Sequence, residues 1–84
     1  MAEAPVRAPQ PVVASEIIRD ARLRAGLTQV QLAARAGVTQ SAVSTYENGR
    51  REPSLAMLQR LVRAADFEMA VTLLPKVTAV PLLF

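Results

Sequence analysis

Between residues 15 and 66 apolar side chains recur at helical spacing and are interrupted by polar and glycine punctuation. Ile18, Ala21 and Ala25 share one helical face, with Ile17 beside them, and predict a first helix over 16–25. Ser15 is its expected N-cap, and Glu16 places a carboxylate at the positive end of the helix dipole. Gly26 stops it. Thr28 caps a second helix over 29–36, with Leu32, Ala33 and Ala36 inward, and Gly37 ends it in a left-handed turn that glycine accepts without strain. Val38 is expected as a buried link. Thr39 caps a third helix, running from Gln40 to Glu47 or Asn48 and stopped by Gly49. "RREP" reads as a loop, and Ser54 caps a fourth helix over 55–65 whose apolar stripe is Leu55, Leu58, Leu61, Val62 and Ala65.

The period changes after Asp66. In "FEMAVTLLP", Phe67, Met69, Val71 and Leu73 alternate with Glu68, Ala70, Thr72 and Leu74, the pattern of a β-strand ending at Pro75. A lone strand leaves its backbone unsatisfied, so the expected partner is the same strand of a second copy. Phe67, Met69, Val71 and Leu73 are then the dimerisation residues; a fifth helix or a tail packed on its own domain is the alternative. At the other end, Pro5, Pro9 and Pro11 mark a disordered or polyproline-like segment. The expected organisation is a disordered tail over 1–14, a helical domain over 15–66, and a strand with the apolar tail "VTAVPLLF" over 67–84.

The third helix is the least suited to a core. Val43 and Tyr46 are spaced to face the domain, which turns Gln40, Ser41, Ser44 and Thr45 outward. Two short helices joined by a glycine turn make a helix-turn-helix candidate, with Ala33 small where they cross. Short uncharged hydrogen-bonding groups suit base edges in a major groove: glutamine matches adenine, while serine and threonine match several bases. A polar helix face alone is ordinarily just solvated. The two threonine caps together with Ala33, Gly37, Val43 and Tyr46 are what favour DNA.

Composition narrows the rest. A chain of 84 residues makes one small domain. With no cysteine and no histidine, disulfides, the usual zinc sites, cysteine nucleophiles and histidine bases are excluded. Lys76 is the one lysine, and no glycine-rich phosphate loop occurs, so neither an enzyme nor a cofactor or metal is expected. Ten basic against seven acidic residues give a net charge of +3, a mild lean towards an anionic partner. Neither a signal peptide nor an apolar run near the ~20 residues of a membrane span is seen, so a cytoplasmic location and no membrane partner are expected.

The stretch "IIRDARLRAGLTQVQLAARAGVTQSAVSTYENGRREPSLAMLQRLVRAAD", residues 17–66, resembles the phage-repressor and Cro-like helix-turn-helix family, also called the Xre family. "GLTQ" at 26–29, "LAARAGV" at 32–38 and "YENGRREPS" at 46–54 carry the likeness. It implies a mainly α, four-helix repressor-like domain, with the C-terminal β-strand pairing across a dimer. Gln29 would bond a phosphate at the start of the second helix. Thr39, Gln40, Ser41, Ser44 and Thr45 would meet bases or nearby phosphates. Asn48, with the backbone around Gly49, would clamp a phosphate, and Arg50 and Arg51 would reach the backbone or an adjacent minor groove. Ser44 and Thr45 are small where many members of the family carry longer side chains, so water and DNA shape would share the discrimination. Arg22 and Glu47 match positions that form an ion pair between the first helix and the end of the recognition helix. Arg19, Arg35, Arg60 and Arg63 are assigned to solvated faces. The implied function is a dimeric, sequence-specific repressor on a palindromic site, with recognition helices about 34 Å apart on double-stranded DNA. The alternative is an antitoxin that neutralises a protein toxin docked on the apolar tail and represses its own operon.

Overall fold

The computed structural model describes residues 13–76. Four helices follow one another: α1 (Ala14–Arg24), α2 (Gln29–Ala36), α3 (Gln40–Glu47) and α4 (Leu55–Ala64). The architecture is a mainly α helix-turn-helix domain in which α2, the turn at Gly37 and α3 form the motif.

Three of the four helix starts are side-chain capped. The Thr28 hydroxyl accepts from the Gln31 N–H at 3.1 Å, and the Gln31 side chain accepts from the Thr28 N–H at 2.9 Å, a reciprocal capping box. Thr39 accepts from the Ala42 N–H at 3.0 Å, and Ser54 from the Met57 N–H at 3.0 Å. The cap expected at Ser15 is not formed. Helix α1 begins earlier, with Val13 as its N-cap and no side-chain bond there. The Val13 carbonyl accepts from Glu16 and Ile17 at 3.1 and 3.2 Å, and Ala14 is buried, so packing draws Ala14 and Ser15 into the helix. The proposed tail over 1–14 therefore gives up Ala14 to the domain, and residues 1–12 lie outside the described ones.

Each helix supplies one fully buried large side chain to a common centre: Ile18, Leu32, Val43 and Leu61. Full burial of such a group stabilises by about 1.5–3 kcal/mol. Ala21, Ala33, Ala36, Leu58, Val62 and Ala65 complete the contacts between helices. Leu27, in the α1–α2 turn, also enters the core, whereas Val38 is only half buried against it. Leu55 departs from the expected stripe. It is 58% exposed, because it opens α4 directly after the cap and precedes the turn that meets the core.

Gly37 closes α2 with φ 71°, and Val38 N–H returns to the Ala33 carbonyl at 3.0 Å. A Cβ at Gly37 would also stand 2.9 Å from the Arg60 guanidinium.

The strand expected over 67–74 is absent from the described residues. After Phe67 N–H bonds the Val62 carbonyl at 3.1 Å, the segment to Lys76 is irregular and largely exposed. A strand exists only as part of a ladder, and the single chain offers this segment no partner. Phe67 reaches the edge of the domain and Met69 packs on it, while Val71, Leu73 and Leu74 stand in solvent. The tail "VTAVPLLF" lies outside the described residues. Among them, no helix is long and apolar enough to cross a membrane.

Candidate nucleic-acid interface

Helix α3 is held to the domain by Val43, wholly buried, and by the half-buried Tyr46. The opposite face carries Gln40 and Ser41 in the open, with Ser44 and Thr45 half buried to either side. Thr45 donates its hydroxyl hydrogen to the Ser41 carbonyl at 2.8 Å, which fixes its rotamer and leaves its oxygen as an acceptor. The Thr39 oxygen is used in capping, so its hydroxyl hydrogen is the group left to donate.

A polar chain ties this face to the rest of the domain. Arg22 on α1 grips Glu47 at the end of α3 with two bonds, Nε to Oε2 at 2.7 Å and Nη2 to Oε1 at 2.9 Å. A third bond, Nη1 to the Leu27 carbonyl at 3.0 Å, secures the α1–α2 turn. The two side chains are only 13% and 5% exposed. The hydrogen bonds to Glu47 hold the Arg22 guanidinium above its ordinary pKa; burial opposes this, and the carboxylate charge adds to it. From Glu47 the chain continues to α2, where Gln29 Nε2 donates to Glu47 Oε1 at 3.3 Å. It returns to α3 as Gln40 Nε2 donates to Gln29 Oε1 at 2.8 Å. Gln40 is left with its carbonyl oxygen and one N–H, the acceptor-and-donor pair that fits an adenine edge.

Past α3, Asn48 Oδ1 accepts from the Arg50 N–H at 3.0 Å, freeing the Asn48 amide to donate outward beside Gly49. Arg50 and Arg51 are exposed and make no ion pair among the described residues. By contrast Arg24, Arg35 and Arg63 pair with Asp20, Asp66 and Glu68 on exposed surface, where such pairs contribute little.

Two shallow depressions border α3. One is lined by Thr39, Ser41, Ala42, Thr45, Tyr46 and Arg51. The other is lined by Arg19, Arg22, Gln29, Ser44, Glu47 and Asn48. Thr39, Ser41, Thr45 and Arg51 thus border one side of α3, and Gln29, Ser44 and Asn48 the other. Phe67 and Met69 lie elsewhere, around a hollow formed with Ile17 and Ala21 of α1 and Val62 of α4. Sequence spacing did not reveal the Leu27 carbonyl as a ligand of Arg22, nor the double role of Gln29. Pairing of two glutamines eleven positions apart depends on the tilt of α2 against α3. Among the described residues, no group of acidic side chains could hold a metal ion.

Residues 18–70 match the helix-turn-helix family model. A protein of Methanothermobacter thermautotrophicus named as an uncharacterized HTH-type transcriptional regulator is 46% identical over 52 residues, covering 62% of this chain and 75% of that protein. The uncharacterized HTH-type transcriptional regulator y4dL of Sinorhizobium fredii is 42% identical over 59 residues, covering 70% of this chain and 29% of that protein. With its capped α2–turn–α3 unit and a match extending from the middle of α1 past the end of α4, the chain belongs to the Xre-like helix-turn-helix family, a non-enzymatic, DNA-binding kind of protein.

Proposed function

We propose that this chain is a transcriptional repressor that binds a palindromic operator as a homodimer. The observation that carries the reading is the Gln29–Gln40 pair, held by Glu47 and presenting a free donor and acceptor at the start of an exposed polar helix. Its relatives are named as transcriptional regulators, which agrees with a role at an operator. In this reading Gln40, Ser41, Ser44 and Thr45 meet the major groove, and Gln29, Thr39, Asn48, Arg50 and Arg51 bind phosphates. Phosphate contacts set register and base contacts set sequence. A protein occupying the groove excludes others from it, the simplest repressing act.

The segment 67–76 supports the dimer. Val71 is 65%, Leu73 92% and Leu74 62% exposed, an apolar run beside a backbone without ladder bonds. Antiparallel pairing with the same segment of a second copy satisfies both needs, with Phe67, Met69, Val71 and Leu73 at the junction. Two-fold symmetry then sets the recognition helices about 34 Å apart on successive turns of the duplex. No observation favours the antitoxin alternative, whose docking tail lies outside the described residues.

Selection from a random duplex pool with the purified chain tests the proposal. Enrichment of an inverted repeat is the expected result. Binding of every duplex equally, with salt sensitivity alone, would refute operator reading.

A further inference from the structure

A helix in a major groove has a sugar-phosphate backbone on each side. The groove is about 12 Å wide and a helix with its side chains is about 10–12 Å across, so both backbones come within reach of whatever borders the helix. Along α3, Ser41 and Thr45 lead into one depression, and Ser44 with the C-cap Asn48 into the other, on either side of the outward face. The first depression ends on Arg51, already placed among the phosphate-binding residues. The second ends on Arg19 of α1.

Arg19 is exposed and makes no ion pair or side-chain hydrogen bond among the described residues. Two carboxylates stand near it in sequence: Asp20 is taken by Arg24, and Glu16 forms no pair with it. One turn further along α1, Arg22 faces the same depression, but Glu47 neutralises it. Arg19 is therefore a positive charge without an ion pair on this side of α3. Beside it lie the amides of Gln29 and Asn48, two neutral donors suited to the same anion. Arg60 is also without an ion pair, but it borders a hollow between α2 and α4, with Gly37 and Gln59, that no residue of α3 lines.

We infer that Arg19 is a DNA-contacting residue that binds a backbone phosphate on the strand opposite the one gripped by Arg51, so that α3 is clamped across the groove. The inference rests on the duplex-binding reading above.

The test measures binding of full-length protein to a random-sequence duplex over a range of salt, for the wild type, Arg19→Ala, Arg19→Lys, Arg51→Ala, the Arg19→Ala/Arg51→Ala double variant and Arg60→Ala. Loss of one phosphate contact lowers the slope of log K against log salt by about 0.9. Arg19→Ala should show that loss with roughly tenfold weaker binding and an unchanged melting temperature. Arg19→Lys should keep the slope, and Arg60→Ala should leave it alone. The double variant should lose about 1.8 units, the sum for contacts to separate phosphates. A wild-type protein whose binding ignores salt would overturn the duplex reading itself. A steep wild-type slope that Arg51→Ala lowers and Arg19→Ala does not would overturn the assignment of Arg19 alone. A double variant no worse than either single one would overturn the two-strand clamp.

Discussion

Replacing Arg22 with alanine removes both guanidinium bonds from a carboxylate that is 5% exposed, leaving Glu47 only the Gln29 amide at 3.3 Å. Breaking a fully buried ion pair costs about 3–5 kcal/mol, chiefly because one charge stays behind without a partner. Arg22, at 13% exposure, sits near the rim of the domain, where water relieves part of that penalty. An expected loss of about 2–3 kcal/mol follows for Arg22→Ala. Glu47→Ala should cost less, about 1–2 kcal/mol, since Arg22 keeps the Leu27 carbonyl and more water. In a domain of this size each kcal/mol moves the melting temperature by about 4–8 °C, so Arg22→Ala should melt roughly 10–20 °C lower. Thermal and urea unfolding followed by far-ultraviolet circular dichroism would measure both. The double variant decides the mechanism: with no charge left behind, it should be more stable than the sum of the single losses implies, by at least about 1 kcal/mol. If the two losses simply add, the residues contribute independently and the reasoning from a buried pair is refuted.

Gln40→Ala should lower preference for a selected site more than affinity for a random duplex, read by competition binding; equal loss on both would remove Gln40 from base reading. Gly37→Ala should cost about 1–2 kcal/mol for the left-handed backbone, and should cost as much in an Arg60→Ala background. If the cost vanishes there, contact with the guanidinium is the cause instead. Ser54→Ala should lose about 1 kcal/mol with its cap, whereas Ser15→Ala should stay within about 0.5 kcal/mol, by thermal melting. Deleting 67–84 should give monomers in sedimentation velocity, and a truncated chain that still sediments as a dimer would end the strand-pairing idea.

The helices were legible because their signals are local. Thr28, Thr39 and Ser54 each sit directly before a periodic run and cap it, within one turn of chain. Ser15 has the same sequence context but is overruled by the burial of Ala14, a tertiary effect. Leu55 fits the apolar stripe on a helical wheel, yet a wheel has no ends, and the first residue of α4 does not reach the core. The alternation over 67–74 records a tendency that needs a second strand to be expressed. The outward position of Gln40 and Ser41 follows from spacing once Val43 is inward. The course of the polar chain from Arg22 to Gln40 does not, because it depends on how three helices approach one another.

Since α3 is fastened by Val43, Tyr46 and Glu47, its outer letters are nearly free of folding duties. Ser41 is exposed, and Thr45 bonds only to backbone within its own helix. These positions can be rewritten at little cost to stability, so on the proposed reading a drift in sequence preference need not pass through unfolded intermediates. Gln40 is different: its partner Gln29 belongs to another helix, so changing it alone abandons a fixed orientation. If the proposed operator reading holds, a lineage built on this scaffold would retarget at 41 and 45, while positions 29 and 40 would change together.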